Sequence, residues 1–288
     1  MSDNIGKEFM RRTRYSEMGE SPQRQGIPQP PLETNYPMDA SLVPLPEAVD
    51  LNFPAHDLRA AIEKRTSVRN YSDTPLTLEE LSALLWLTQG VKEVTHRPVT
   101  LRTVPSAGAR HAFETYLLIN RVETLTPGLY RYVALEHALL PVRLDAEVNQ
   151  ELTQACLKQQ QVQTSAVTFI WVAVVERMYW RYLERGYRYL HLDAGHICQN
   201  LYLAAEPIGC GVCAIAAFDD DAVNEEEVIN KVEARVPEGA TADPVSYSIA
   251  EDKDEVTSSL MNIRAKLIKR KKDTRQGEPG TLKLGKNS

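Results

Sequence analysis

Apolar residues in this chain recur at two different periods, and the changes of period outline its elements. Leu58, Ala61 and Ile62 fall at helical spacing. Thr77 stands before Leu78-Glu79-Glu80-Leu81, which predicts a helix opened by a capping box and carried by Leu81, Leu84, Leu85 and Leu87 to Gln89-Gly90. Residues 114–120 read as a strand, and the unbroken apolar run 165–175 as a strand buried on both faces. Between them Pro127-Gly128-Leu129-Tyr130-Arg131-Tyr132, with Leu139 and Leu140, predicts a small hairpin. Ile197, Leu201, Ala205 and Ile208 lie at i, i+4, i+8 and i+11, the buried stripe of a long helix. Val256, Leu260, Ile263 and Leu267 repeat at spacings of 4, 3 and 4, so a second amphipathic helix is expected there, packed on a partner subunit. Strands separated by long helices make an α+β layered domain.

Proline changes the picture at the N-terminus. Gly26-Ile27-Pro28-Gln29-Pro30-Pro31 and the later Pro37, Pro44, Pro46 and Pro54 remove backbone donors and fix φ. Residues 1–56 are therefore expected to form an extended arm laid over a surface. Residues 57–253 form the domain, and residues 254–288 the helix followed by a basic, unstructured tail.

Composition narrows the class. The 288 residues carry a net charge of −6, which argues against a general nucleic-acid binder. That charge is unevenly placed. Residues 262–288 hold nine Lys or Arg against Asp273 and Glu278, a balance of +7 that leaves −13 on residues 1–261. With neither an apolar span of membrane length nor an apolar leader, the expectation is a cytoplasmic protein without membrane or nucleic-acid partners. Cys156, Cys198, Cys210 and Cys213 are too irregular for a disulfide framework. Cys210-Gly211-Val212-Cys213 has redox-motif spacing, but it sits where a helix end runs into a buried strand, and small-residue packing accounts for it. No metal site is expected, because a zinc site needs two further ligands of matching spacing.

The densest chemistry lies in Arg65-Thr66-Ser67-Val68-Arg69. If extended, the piece sets Arg65, Ser67 and Arg69 on one side. Two guanidiniums with a hydroxyl between them suit a phosphate; solvated arginines on a helix end would present the same letters.

Arg65-Thr66-Ser67-Val68-Arg69 resembles the N-terminal fingerprint of the nitroreductase family, flavin enzymes in which this segment holds the FMN phosphate. Three later segments continue the resemblance in order. Residues 105–116, opening Pro105-Ser106-Ala107-Gly108-Ala109-Arg110, look like the loop and strand along the flavin ring. Residues 195–206 look like the central helix. Ile215-Ala216-Ala217-Phe218 looks like the turn whose backbone faces the flavin. Residues 181–189, just before the central helix, are similar to the SagB-type branch, whose best-known members oxidise azoline rings in ribosomal peptides. The resemblance covers residues 57–218.

It implies a nitroreductase-like fold, a mostly antiparallel central sheet flanked by helices, in a homodimer that binds FMN and takes electrons from transient NADH or NADPH. By resemblance Arg65, Thr66, Ser67 and Arg69 take the phosphate and ribityl end, and Ser106, Ala107 and Gly108 approach the ring. Arg110 brings positive charge to its N1 and O2 side, and Ala216 or Ala217 offers a backbone N–H toward N5. The family often has Asn at the position of Ala109 and Pro at that of Ala112. Residues 244–250 look like its last strand, after which a Gly-Lys turn usually adds a cation. Here Glu251-Asp252-Lys253 follows, so Lys253 is the substitute. In SagB-type enzymes a Lys-Tyr pair removes a proton from the substrate ring; this chain has Arg181-Tyr182. Arginine stays protonated and is no general base, whereas Tyr182 can serve as acid or base. His111 and His196 titrate near neutrality, but His196, expected to open a buried helix, reads as structural.

The substrate, small molecule or peptide, is not written in these residues. An oxidoreductase working by ping-pong is the reading adopted. A catalytically decayed scaffold in a peptide-modifying complex, and an azoline dehydrogenase, stand beside it.

Overall fold

The computed structural model describes residues 4–47, 53–97, 99–145, 147–224 and 262–270, the last as backbone alone. Helix α1 (Ile5–Arg12) opens the arm, and β1 (Val43–Pro44) closes it. Helix α2 (Leu58–Lys64) follows, capped by Asp57. Helix α3 (Leu78–Gln89) carries the expected capping box, with Thr77 and Glu80 each accepting the other's backbone N–H, a device worth about 1 kcal/mol. The chain continues through β2 (Val91–Val94), β3 (Thr100–Arg102), β4 (Phe113–Ile119), β5 (Gly128–Val133) and β6 (Ala138–Arg143). Then come α4 (Glu147–Ala155), α5 (Gln160–Thr164), β7 (Val167–Ala173), α6 (Val175–Tyr182) and α7 (Gly186–Ala205). β8 (Cys210–Ala214), α8 (Asp220–Asn224) and β9 (Asn262–Arg270) complete the described elements.

The main sheet has the order β1-β6-β5-β4-β7-β9-β8, and every neighbouring pair is antiparallel. Its central strands are buried on both faces, as the apolar runs predict. Phe113, Leu117, Phe169 and Trp171 join one core with Leu81, Leu84 and Leu85 of α3 and Leu190, Ile197 and Leu201 of α7. The alternate residues Tyr116, Leu118, Ile170 and Val172 face a second core with Val148 and Leu152 of α4. Each such side chain contributes about 1.5–3 kcal/mol on leaving water, so the β4–β7 pair anchors both layers.

Two expectations need correction. The C-terminal amphipathic helix is not formed where it is described: Ile263 and Leu267 lie in β9, which pairs with β7 on one side and β8 on the other. A spacing of four fits the two-residue period of a strand as well as a helix, and two flanking strands satisfy backbone groups that a lone helix face cannot. Val256 and Leu260 lie outside the described residues. The arm, secondly, is not extended throughout. Its α1 docks through Thr13, whose backbone carbonyl accepts from Arg185 and whose hydroxyl accepts from Arg188. The arm then crosses α6, where Trp180 Nε1 donates to the Ile27 carbonyl at 2.7 Å.

Candidate functional site

The segment after α2 reaches the sheet at the rim of β8. Ser67 forms a parallel bridge with Val212, and the Val68 N–H donates to the Val212 carbonyl at 3.0 Å. Glycine is required opposite, because a Cβ on Gly211 would stand 2.6 Å from the Val68 side chain. This docking puts Ser67 Oγ 2.9 Å from the Tyr202 hydroxyl, which also accepts the Ala214 N–H at 3.1 Å. The Arg65 guanidinium lies 5.2 Å from the centre of the Tyr202 ring. Arg65 is half-buried, Thr66 and Arg69 are exposed, and neither arginine forms an ion pair among the described residues. Ala216 and Ala217 follow β8 directly and are exposed, with the Ala217 carbonyl held by Gln159 at 2.7 Å. One cationic edge therefore gathers Arg65, Thr66, Ser67, Arg69, Ala216 and Ala217.

A second group forms elsewhere. Ala107, Gly108 and Ala109 make a single tight turn, with positive φ at Gly108, Ala109 and His111. A Cβ on Gly108 would meet Tyr182 Oη at 2.5 Å and Arg181 Nε at 3.0 Å, so the turn lies directly on the Arg181-Tyr182 pair. Left-handed backbone costs an ordinary residue about 1–2 kcal/mol, and such strain gathers at functional sites. Leu183, just past Tyr182, also has positive φ. Arg110 is buried over the Trp180 ring, its Nη1 donating to Gln29 of the arm at 2.8 Å. Arg181 lies over the ring of Tyr182, which meets Tyr189 edge-on at 4.8 Å.

Asp193 is the residue that the sequence reading missed. Its Oδ1 accepts the Ala107 N–H at 3.2 Å, while Oδ2 is buried without a partner, and burial pushes its carboxyl upward. The signal was available: Asp193 sits on the apolar stripe of Leu190, Ala194 and Ile197, where a lone carboxylate is out of place. Tyr202, missed likewise, lies nine residues further along α7. Nine residues turn a helix through two and a half revolutions and advance it about 13 Å, so the two groups occupy opposite sides of α7.

A profile of the nitroreductase family matches residues 62–236. The chain belongs to the nitroreductase family. Members are oxidoreductases and generally bind FMN. A protein of Methanocaldococcus jannaschii named as a nitroreductase is 38% identical over 168 residues, which is 58% of this chain and 82% of that protein. Trifolitoxin-processing protein TfxB of Rhizobium leguminosarum bv. trifolii is 32% identical over 112 residues, 38% of this chain but 30% of its own length. Among solved structures, a nitroreductase of Anabaena variabilis is 26% identical with a TM-score of 0.59, over 80% of this chain and 42% of that one. A chain of the Escherichia coli microcin synthetase McbBCD complex shares the fold at 19% identity and a TM-score of 0.54, over 93% and 92% of the two chains.

The nitroreductase fold corrects the place of His196. Helix α7 begins at Gly186, not near Gly195, so His196 is mid-helix and exposed. His111 is buried, its backbone N–H donating to Ser106 Oγ at 2.9 Å; burial, then Arg102 and Arg110, lower its pKa to about 3. It is neutral at physiological pH. Cys210 and Cys213 form no disulfide among the described residues and are buried in β8, in keeping with a packing role. Lys253 and the strand expected at 244–250 lie outside the described residues. Among the described residues no helix is long and apolar enough to cross a membrane.

Proposed function

We propose that this nitroreductase-family chain is an FMN-dependent oxidoreductase that works as a homodimer, each flavin being held between two copies. The observation that carries this reading is the placement of the two residue groups on opposite sides of α7, about 13 Å apart along its axis. A second copy related by a two-fold axis brings the turn of one chain to the cationic edge of the other. The outer face of α7 suits such a contact, since Leu192 is 58% exposed and the neighbouring Leu58 and Ile62 of α2 are 63% and 52% exposed.

The residues fit the cofactor at both ends. Arg65 and Arg69, without an ion pair among the described residues, and the hydroxyls of Thr66 and Ser67 suit a phosphate; Lys253, the further cation that the family resemblance implies, lies outside the described residues. Ser106, Ala107 and Gly108 give a flat ring close backbone approach, braced by Asp193. FMN held by these residues would supply the redox chemistry, hydride transfer between two molecules admitted in turn. Ala216 and Ala217, exposed just after β8, would leave the reacting face clear and could offer it their N–H groups. NADH or NADPH binds transiently, because the chain carries no Gly-rich dinucleotide fingerprint after a strand. Tyr182 is the acid or base; Arg181, permanently charged, orients the Tyr182 ring and draws anionic substrate.

The test is the anaerobic absorption spectrum of the purified protein. Bound FMN that bleaches with NADH or NADPH is expected, and Leu192→Asp with Gly195→Arg should give monomers by light scattering and release the flavin. A colourless protein that ignores added FMN overturns the reading. The partial match to TfxB favours one alternative, a place in a peptide-modifying assembly, either as an azoline dehydrogenase or as a scaffold without redox activity. An Arg181→Lys variant that gains azoline oxidation would favour the first form.

A further inference from the structure

A cavity lies under the arm, walled on one side by residues 30–37, which precede the residues matched to the family, and on the other by side chains of β4, β5, β6 and α6 that lie within them. It measures about 350 Å³ and is lined by Pro30, Pro31, Tyr36, Leu140 and Val142, with Arg131 and Arg177 at its polar side. Both residues are 4% exposed. Arg131 Nη2 donates to the Thr34 carbonyl at 2.9 Å, and Arg177 Nη2 to Glu114 at 2.5 Å. Yet Arg131 Nε and Arg177 Nη1 are buried with no acceptor among the described residues. A buried charged donor left unmatched is costly, and arginine has no neutral form to retreat to.

The local charge count points the same way. Arg102, Arg131 and Arg177 are buried together with Glu33 and Glu114, one cation in excess. Both carboxylates are already engaged. Glu114 accepts from Arg177 and from the Thr34 N–H and hydroxyl. Glu33 lines the cavity but turns Oε1 to the Ala134 N–H, and burial followed by Glu114 pushes it toward its neutral form, which lessens its opposition to an anion. Apolar walls and two arginines that each keep an unmatched donor together describe an amphipathic anion.

We propose that this cavity binds a small organic carboxylate with an apolar body, its oxygens accepting from Arg131 Nε and Arg177 Nη1 and its body resting on Pro30, Tyr36, Leu140 and Val142. The volume accommodates on the order of ten non-hydrogen atoms. The proline-rich run now has a purpose: it roofs the site with rigid apolar groups and turns its carbonyls to the arginines.

Isothermal titration of the full chain with acetate, hexanoate and 4-fluorobenzoate at constant ionic strength tests this, with 4-fluorobenzyl alcohol as the uncharged control. Expected are saturable binding of one acid per chain, strongest for the two larger acids, and none of the alcohol. Arg131→Gln should weaken it at least about tenfold, the effect of losing one charged hydrogen bond. Val142→Phe, at a half-buried wall position that tolerates filling, should abolish it with the thermal midpoint retained. Binding should persist in Arg65→Ala/Arg69→Ala, which separates this cavity from the flavin region. No saturable binding by any acid, equal binding of the alcohol, or binding undiminished in Val142→Phe overturns the proposal.

Discussion

The cationic edge at β8 and the turn at Gly108 are built on opposite principles. At the edge, Arg65, Thr66 and Arg69 stand in or near solvent, and the segment is held by the bridge between Ser67 and Val212 and by contacts of Ser67 and Arg65 with Tyr202. At the turn, Gly108 touches Tyr182 and Arg181, three residues in a row of four have left-handed φ, and Asp193 braces the backbone from a buried helix face. Open cations cost little to maintain and gain their partners when an anion arrives. A strained turn must be held by its surroundings before any ligand binds. Binding strength is thus expected to reside at the edge, and geometry at the turn.

Removing the cations separates the two most sharply. Arg65→Ala/Arg69→Ala should lower FMN affinity at least about a hundredfold by fluorescence titration, since each charged hydrogen bond is worth about 1.5–3 kcal/mol. The thermal midpoint of the flavin-free protein should fall only slightly, because neither side chain forms an ion pair among the described residues and only Arg65 stacks on a ring, that of Tyr202.

Acid should strike the turn. His111 has a pKa of about 3 in the fold against an ordinary 6.5, so between those values the unfolded chain binds more protons. Stability is full above pH 6.5 and falls as pH drops toward 3, by an amount on the order of 4 kcal/mol from this residue. Urea unfolding across that range should show a shallower loss for His111→Gln than for the parent; parallel curves would detach His111 from the acid response.

Gly108→Ala places a Cβ 2.5 Å from Tyr182 Oη at φ +59°. It should cost about 1–2 kcal/mol in stability and lower kcat more than flavin affinity, because it moves Tyr182 without touching the cations. The smallest effect belongs to Tyr202→Phe. Losing the hydroxyl that joins Ser67 to the Ala214 N–H should lower stability by about 1 kcal/mol and loosen FMN modestly.

Much of the fold was legible before any coordinates. The capping box at Thr77 and the double-faced strand at 165–175 are local patterns, and local patterns survive folding. The stretch around Ile263 and Leu267 was read as helix because its spacing serves either period, and the choice rests on two strands far away in sequence. The candidate site divides in the same way. Arg65, Ser67 and Arg69 are marked by their own spacing, whereas Asp193 and Tyr202 matter only through what α7 carries them to.

The sequence by itself determined the element types of the central layers, the cationic segment and the family, because periodicity, caps and charged clusters act over a few residues. Tertiary structure decided that the arm roofs a cavity beside two arginines with unmatched donors, that β9 completes the sheet, and that the two site groups lie on opposite sides of one helix. Those outcomes depend on contacts between residues from about 90 to about 145 positions apart, for which a linear pattern carries no signal until the chain closes on itself.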